Sequence, residues 1–238
     1  MFDMQTESLH RPKKDSTLQQ DVYAGKIDQH IFLISRELRD GFELLKKYPR
    51  SVTIFGSSLM KPEHPCYGKA EELGRRIVTE LKYAVITGGG PGIMEAAAKG
   101  ASSVDNLSAG LAITLPHEHH KSAGNDGGLR FRYFFTRKAM LTFAAESFVF
   151  FPGGFGTFDE LFSILTLMQT GKIPRVPILL YDFAFWGKME AFIMETMLEK
   201  YKTVDEKDLK LFEITDSLDY ILDRVREAPV SEWWRHLN

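Results

Sequence analysis

Cysteine is almost missing from this chain. Cys66 stands alone, so no disulfide can form within the chain, and a reducing, cytoplasmic setting is the expectation. Net charge is nearly absent as well. Thirty Lys and Arg against 32 Asp and Glu leave −2, which argues against a general affinity for nucleic acid or for an anionic membrane. Long apolar runs are lacking too. The longest, Met140 to Phe151, is broken by Glu146 and is too short to cross a bilayer. The opening stretch, Met1 to Gln20, is polar and charged, without the apolar core of a signal peptide. No repeat or low-complexity linker divides the chain. What is present suits a full core: 44% hydrophobic and 26% charged residues in a length of 238.

Two nucleotide signatures are also absent. The glycine-rich stretches lack the Gly-Lys-Ser/Thr ending of an ATP-binding P-loop. Nor do they spell Gly-x-Gly-x-x-Gly, and Asp105 comes too soon after Gly88 to hold a dinucleotide ribose roughly 20 positions on. ATP and NAD are therefore not the expected ligands.

The stretch around which the chain is organised is Phe148 to Leu161. An apolar β-type run ends at Pro152. Gly153, Gly154, Gly156 and Thr157 follow, and a helical stripe of Leu161, Leu165 and Met168 then opens. Strand, glycine turn and helix start together make a phosphate cradle, because glycine lets backbone approach an anion and a helix N-terminus presents unpaired N–H groups to it. Thr157 is expected to cap that helix or to offer its hydroxyl to phosphate, and Glu160 to stand in its first turn. The plainer reading is a tight turn with a capping threonine and a structural glutamate.

Pro152 to Glu160 reads Pro-Gly-Gly-x-Gly-Thr-x-x-Glu, which resembles the signature of the Lonely Guy (LOG) family, once labelled "lysine decarboxylase". Two further family elements are present in order. One is the Gly-rich turn Gly88-Gly89-Gly90-Pro91-Gly92-Ile93-Met94, and the other is the pair Arg137-Lys138 on the preceding helix. The resemblance runs roughly from Ser51 to Tyr201. It implies hydrolysis of the N-glycosidic bond of nucleoside 5′-monophosphates, such as AMP or a cytokinin riboside monophosphate, to free base and ribose 5-phosphate. It also implies a homodimer or higher homo-oligomer, with no cofactor and no metal. Arg137 and Glu160 become the candidate catalytic residues. Gly56, Ser57, Gly88, Gly89, Gly90, Gly92, Met94, Lys138, Gly153, Gly154, Gly156 and Thr157 become candidates for holding the substrate.

Alternatives stay open at several of these positions. Gly56-Ser57-Ser58 taken alone reads as an ordinary βα turn. Met94 and Glu95 read equally as a core contact and a first-turn carboxylate, and Lys138 as a structural residue. Asp159 points about 100° around the helix from Glu160 and is not expected to share its role. A non-catalytic molybdenum-cofactor carrier is the alternative function, since related proteins of this fold work in that way. Decarboxylation would need a carbanion sink such as pyridoxal phosphate on a lysine, and no motif supports one.

The pattern of elements predicts an α/β fold: a Rossmann-like, doubly wound parallel sheet with helices on both faces, plus an N-terminal helix. Residues 1–50 read as an extension whose helix, marked by Ile27, Ile31, Ile34, Leu38, Phe42 and Leu45, would pack on the core; residues 51–238 read as the nucleotide-binding domain. Thr136 is expected to cap a helix starting at Arg137. The cluster His117-Glu118-His119-His120 is read as a solvated loop near the ligand rather than as a zinc site, because neighbours at i and i+2 in a loop rarely converge on a metal.

Overall fold

Seven parallel strands form one sheet in the order β4-β3-β2-β1-β5-β6-β7. They are β1 Ser51–Phe55, β2 Ala84–Thr87, β3 Ser108–Ile113, β4 Leu129–Phe131, β5 Ser147–Phe150, β6 Ile178–Tyr181 and β7 Glu213–Thr215. The structure, a computed structural model, describes residues 17–114 and 128–229. The His117–His120 cluster and Trp233-Trp234 lie outside the described residues.

The parallel sheet expected from the sequence is present, and the apolar run before Pro152 is its strand β5. Strands buried on both faces need apolar side chains on both, and β5 shows how this works. Phe148 and Phe150 join one core with Leu141, Leu161 and Trp186, while Val149 and the following Phe151 join the other with Ile54, Leu73 and Ile93. Each buried Phe contributes on the order of 1.5–3 kcal/mol through the water-excluded area.

The helices are α1 Thr17–Leu45, α2 Pro65–Arg76, α3 Ile93–Ser102, α4 Phe134–Phe143, α5 Phe155–Gln169, α6 Phe183–Phe192 and α7 Leu218–Arg226. Short π-helical turns extend α2 to Leu81 and α6 to Lys200. Among the described residues, no helix is long and apolar enough to cross a membrane. The alanine-rich α3 packs closely on α2: a Cβ on Gly100 would fall 1.9 Å from the Glu71 carbonyl oxygen.

The chain divides into two compact units, 1–36 and 37–238, with the division inside α1. In the first unit Ile27 and Ile31 are exposed. In the second, Leu44 and Leu45 are buried and Leu38, Phe42 and Tyr48 pack against the same core as α4 and α5. The expectation that this helix packs on the core is met by its C-terminal part.

The register of the sheet positions the site. Ile54 is level with Thr87 of β2 and Val149 of β5, so the turns after β1, β2 and β5 all open at one edge. The direction of chain progress reverses between β1 and β5. Ligands of such sheets bind in the crevice at this switch point, beyond the strands' carboxyl ends.

Candidate functional site

Three turns line the crevice and are bonded to one another. The Ser57 N–H donates to the Pro152 carbonyl at 3.0 Å, and the Ile93 N–H donates to the Ser57 carbonyl at 3.1 Å. Gly92 makes the second bond possible. Its φ of 72° is left-handed, and a Cβ there would stand 2.3 Å from the Ser57 oxygen. Gly56 lies against the Ile93 side chain, and the Met94 thioether sits beneath Gly88 and Gly90. Met94 therefore supports the turn. The Ser57 hydroxyl accepts from the Leu59 N–H within its own turn.

The α5 helix begins one turn earlier than its glycine-threonine motif suggested. Gly154 is the N-cap and no side chain caps the helix, so Thr157 is the third helical residue and not a cap. The Thr157 hydroxyl lies instead against Gly153, where a Cβ would come within 2.1 Å of it. Glu160 accordingly stands in the second turn, not the first. Phe155, Gly156 and Thr157 keep N–H groups without intrahelical acceptors, as in any helix start. Gly154 and Gly156 have open space where a side chain would be, so the backbone at the positive end of the helix is uncovered.

The α4 helix also starts earlier than expected, at Phe134, with Tyr133 as N-cap. Thr136 is its third residue, and its hydroxyl lies 2.6 Å from Glu37 Oε2 and 2.8 Å from the Tyr133 carbonyl, its one proton shared between the two acceptors. The Glu37 carboxylate also accepts from the N–H groups of Arg132 at 2.6 Å and Tyr133 at 3.4 Å. Arg137 thus stands past the first three helical residues and reaches across to the sheet edge. Its Nε donates to the Leu111 carbonyl at 2.6 Å and its Nη2 to the Gly88 carbonyl at 3.1 Å.

Arg137 and Glu160 meet electrostatically. Burial lowers the Arg137 pKa, and the charge of Glu160 partly restores it. Burial raises the Glu160 pKa above the ordinary carboxylate range; the charges of Lys138 and Arg137 pull it down and that of Asp159 pushes it up. No direct ion pair joins Arg137 and Glu160 among the described residues. Glu160 is 7% exposed, and its buried Oε2 has no hydrogen-bond partner. Such an oxygen costs roughly 1–3 kcal/mol unless something satisfies it. Lys138 is committed elsewhere, to Asp159 at 2.6 Å and the Ser163 hydroxyl at 2.9 Å. Cys66 is no competing nucleophile: burial and the neighbouring Asp182 push its thiol up to about 11.

Sequence reasoning missed Glu37. Its partners lie 95 to 99 residues away, and no local motif announces such a bond. The glycine turn at Gly92, by contrast, was legible, because glycine is needed where a Cβ would meet the Ser57 carbonyl.

A Rossmann-like α/β protein whose switch-point crevice joins an open helix start to a buried carboxylate and an arginine is the class defined by these features. The chain belongs to the family described as "possible lysine decarboxylase", which matches residues 94–225, and this is the grouping of the Lonely Guy signature. A similar curated protein is the cytokinin riboside 5′-monophosphate phosphoribohydrolase of Rhodococcoides fascians. It is 26% identical over 160 residues, covering 65% of this chain and 79% of that protein. Among solved structures, the molybdenum cofactor carrier protein of Chlamydomonas reinhardtii aligns with a TM-score of 0.52 and 19% identity, covering 75% of this chain and 96% of that one. A structural-genomics target aligns at 0.53 with 19% identity over 75% and 99%. DNA processing protein A of Helicobacter pylori aligns at 0.50 with 16% identity over 76% and 81%. At these identities the structural likenesses establish the fold alone.

Proposed function

We propose that the chain hydrolyses the N-glycosidic bond of nucleoside 5′-monophosphates, with AMP or an N6-modified AMP as the substrate class. The observation that carries this reading is the Glu160 carboxyl: buried, with one oxygen unpartnered, and sharing its field with Arg137 beside an open helix start. Family membership and the phosphoribohydrolase relative support it.

The 5′-phosphate would sit on the N–H groups at the start of α5. Binding energy from that non-reacting group orients the ribose. Cleavage of the C1′–N bond leaves its electron pair on the base and positive charge on the sugar, as in glycoside hydrolysis. The ionised Glu160 stabilises that charge or orients water. The water oxygen bonds to C1′ and gives up a proton, the base nitrogen gains one, and base and ribose 5-phosphate leave. Arg137 holds the phosphate or assists the departing base.

The same reading takes the chain to work as a homodimer or higher homo-oligomer. Support comes from a groove on α5 lined by Lys138, Phe155, Phe158, Phe162 and Leu167, which borders Asp159. Phe155 at its end is 97% exposed, a poor arrangement for an isolated chain.

The test is purified protein incubated with AMP and with a cytokinin riboside monophosphate, with free base measured by chromatography. Base release from wild type but not from Glu160→Ala is the expected result. Intact nucleotide together with a co-purified pterin in the mass spectrum would replace the hydrolytic reading with a carrier.

A further inference from the structure

We propose that Glu37 is a positioning residue: its carboxylate fixes the start of α4 and through it the Arg137 guanidinium. Two contacts, one turn apart on both helices, hold α1 to α4. At the first, Glu37 Oε1 accepts from the Arg132 N–H, while Oε2 accepts from the Thr136 hydroxyl and, at greater length, from the Tyr133 N–H. At the second, four residues on in each helix, Gly41 meets Met140 so closely that a Cβ on Gly41 would lie 2.4 Å from the Met140 sulfur.

The position of the clamp in the chain matters. Thr136 directly precedes Arg137, and the Arg137 N–H makes an α4 backbone bond to the Tyr133 carbonyl at 3.2 Å. Glu37 therefore grips the turn of helix from which Arg137 reaches out to Gly88 and Leu111. A carboxylate at a helix N-terminus also favours the helix dipole. Glu37 and Gly41 both lie outside residues 94–225, the segment that matches the family.

A Gln at position 37 keeps the shape but removes the carboxylate's charge from the helix start, sets an NH2 donor against the Tyr133 N–H, and turns the Thr136 hydroxyl from donor to acceptor. The start of α4 then loosens, and Arg137 loses its fixed direction. Misplacing a positioned group by about 1 Å costs up to roughly a hundredfold in rate, so a fall of tenfold or more in kcat is expected.

This inference rests on the hydrolytic reading, and two measurements separate their fates. The first is turnover of AMP by wild type, Glu37→Gln, Thr136→Val, Arg137→Ala and the Glu37→Gln/Arg137→Ala double variant. The expected result is a lower kcat with a smaller change in KM for Glu37→Gln, a milder loss for Thr136→Val, and no further loss when Glu37→Gln is added to Arg137→Ala. Full additivity in the double variant would overturn the proposal, because Glu37 would then act independently of Arg137. The second is amide hydrogen exchange of intact wild type and Glu37→Gln. Faster exchange confined to residues 130–141 supports the clamp, and unchanged exchange there overturns it. The exchange result stands even if wild type turns over no nucleotide, in which case the hydrolytic reading fails on its own.

Discussion

Arg137 Nη2 donates to the Gly88 carbonyl across 3.1 Å, and a Cβ on residue 88 would lie only 2.2 Å from that nitrogen. The glycine and the arginine therefore occupy one space by mutual exclusion. The atoms in the way at Gly88 are the ends of two flexible side chains, Arg137 Nη2 and Met94 Sδ. Gly88→Ala should displace them at little cost in stability, about 1 kcal/mol, while lowering turnover tenfold or more through the moved guanidinium. At Gly92 the obstacle is the Ser57 carbonyl and φ is 72°, so nothing can give way easily. Gly92→Ala should lose at least ~1–2 kcal/mol. Melting temperature and kcat, measured side by side on both variants, check the contrast.

Glu160 should separate stability from function. Its folded-state pKa is raised by burial. A raised carboxyl contributes stability that is complete below the ordinary glutamate value of about 4.3 and is lost as pH rises through the folded value. Glu160→Gln carries no such loss. Its melting temperature relative to wild type should therefore improve as pH rises above the ordinary glutamate value of about 4.3. Turnover moves the other way: the ionised form does the work, so the acid limb of the wild-type profile should lie above the ordinary glutamate range. A thermal-shift series and a pH-rate profile read the two effects.

Lys138 should tune that limb without being essential. Its charge is the largest of those holding the Glu160 pKa down, and Asp159 pushes it up. Lys138→Met should move the acid limb to higher pH, and Asp159→Asn to lower pH. The Lys138–Asp159 pair is partly exposed, with Asp159 mostly in solvent, so either change should cost only about 0–1 kcal/mol of stability. Equal profiles for all three proteins would show that Glu160 does not feel this pair.

The aromatic face of α5 should hold copies of the chain together. Sedimentation velocity is expected to give a dimer or larger species for wild type and a shift toward monomer for Phe155→Asp. A wild-type monomer at all accessible concentrations would contradict the homo-oligomer.

Much of the fold was legible before any coordinates. Period and glycine placement carry that information locally: Phe148 to Phe151 read as an apolar strand, and the turns at Gly56, Gly88 and Gly153 follow the carboxyl ends of β1, β2 and β5. What escaped the sequence was set by distant atoms. The start of α4 lies ahead of Arg137, and Glu37, about 95 residues earlier, accepts from the Arg132 and Tyr133 N–H groups that lead into it. The start of α5 moves to Phe155 because Gly154 serves as N-cap, which turns Thr157 from a cap into an interior residue and carries Glu160 into the second turn. That shift faces Glu160 inward, while the neighbouring Asp159 faces solvent and Lys138.

The most direct measurement is a crystal structure of the Glu160→Gln variant with AMP bound. The phosphate should accept from backbone N–H groups between Gly154 and Thr157, with the ribose against residue 160 and Arg137 alongside. Phosphate bound away from the start of α5, or a ribose out of reach of residue 160, would contradict the account.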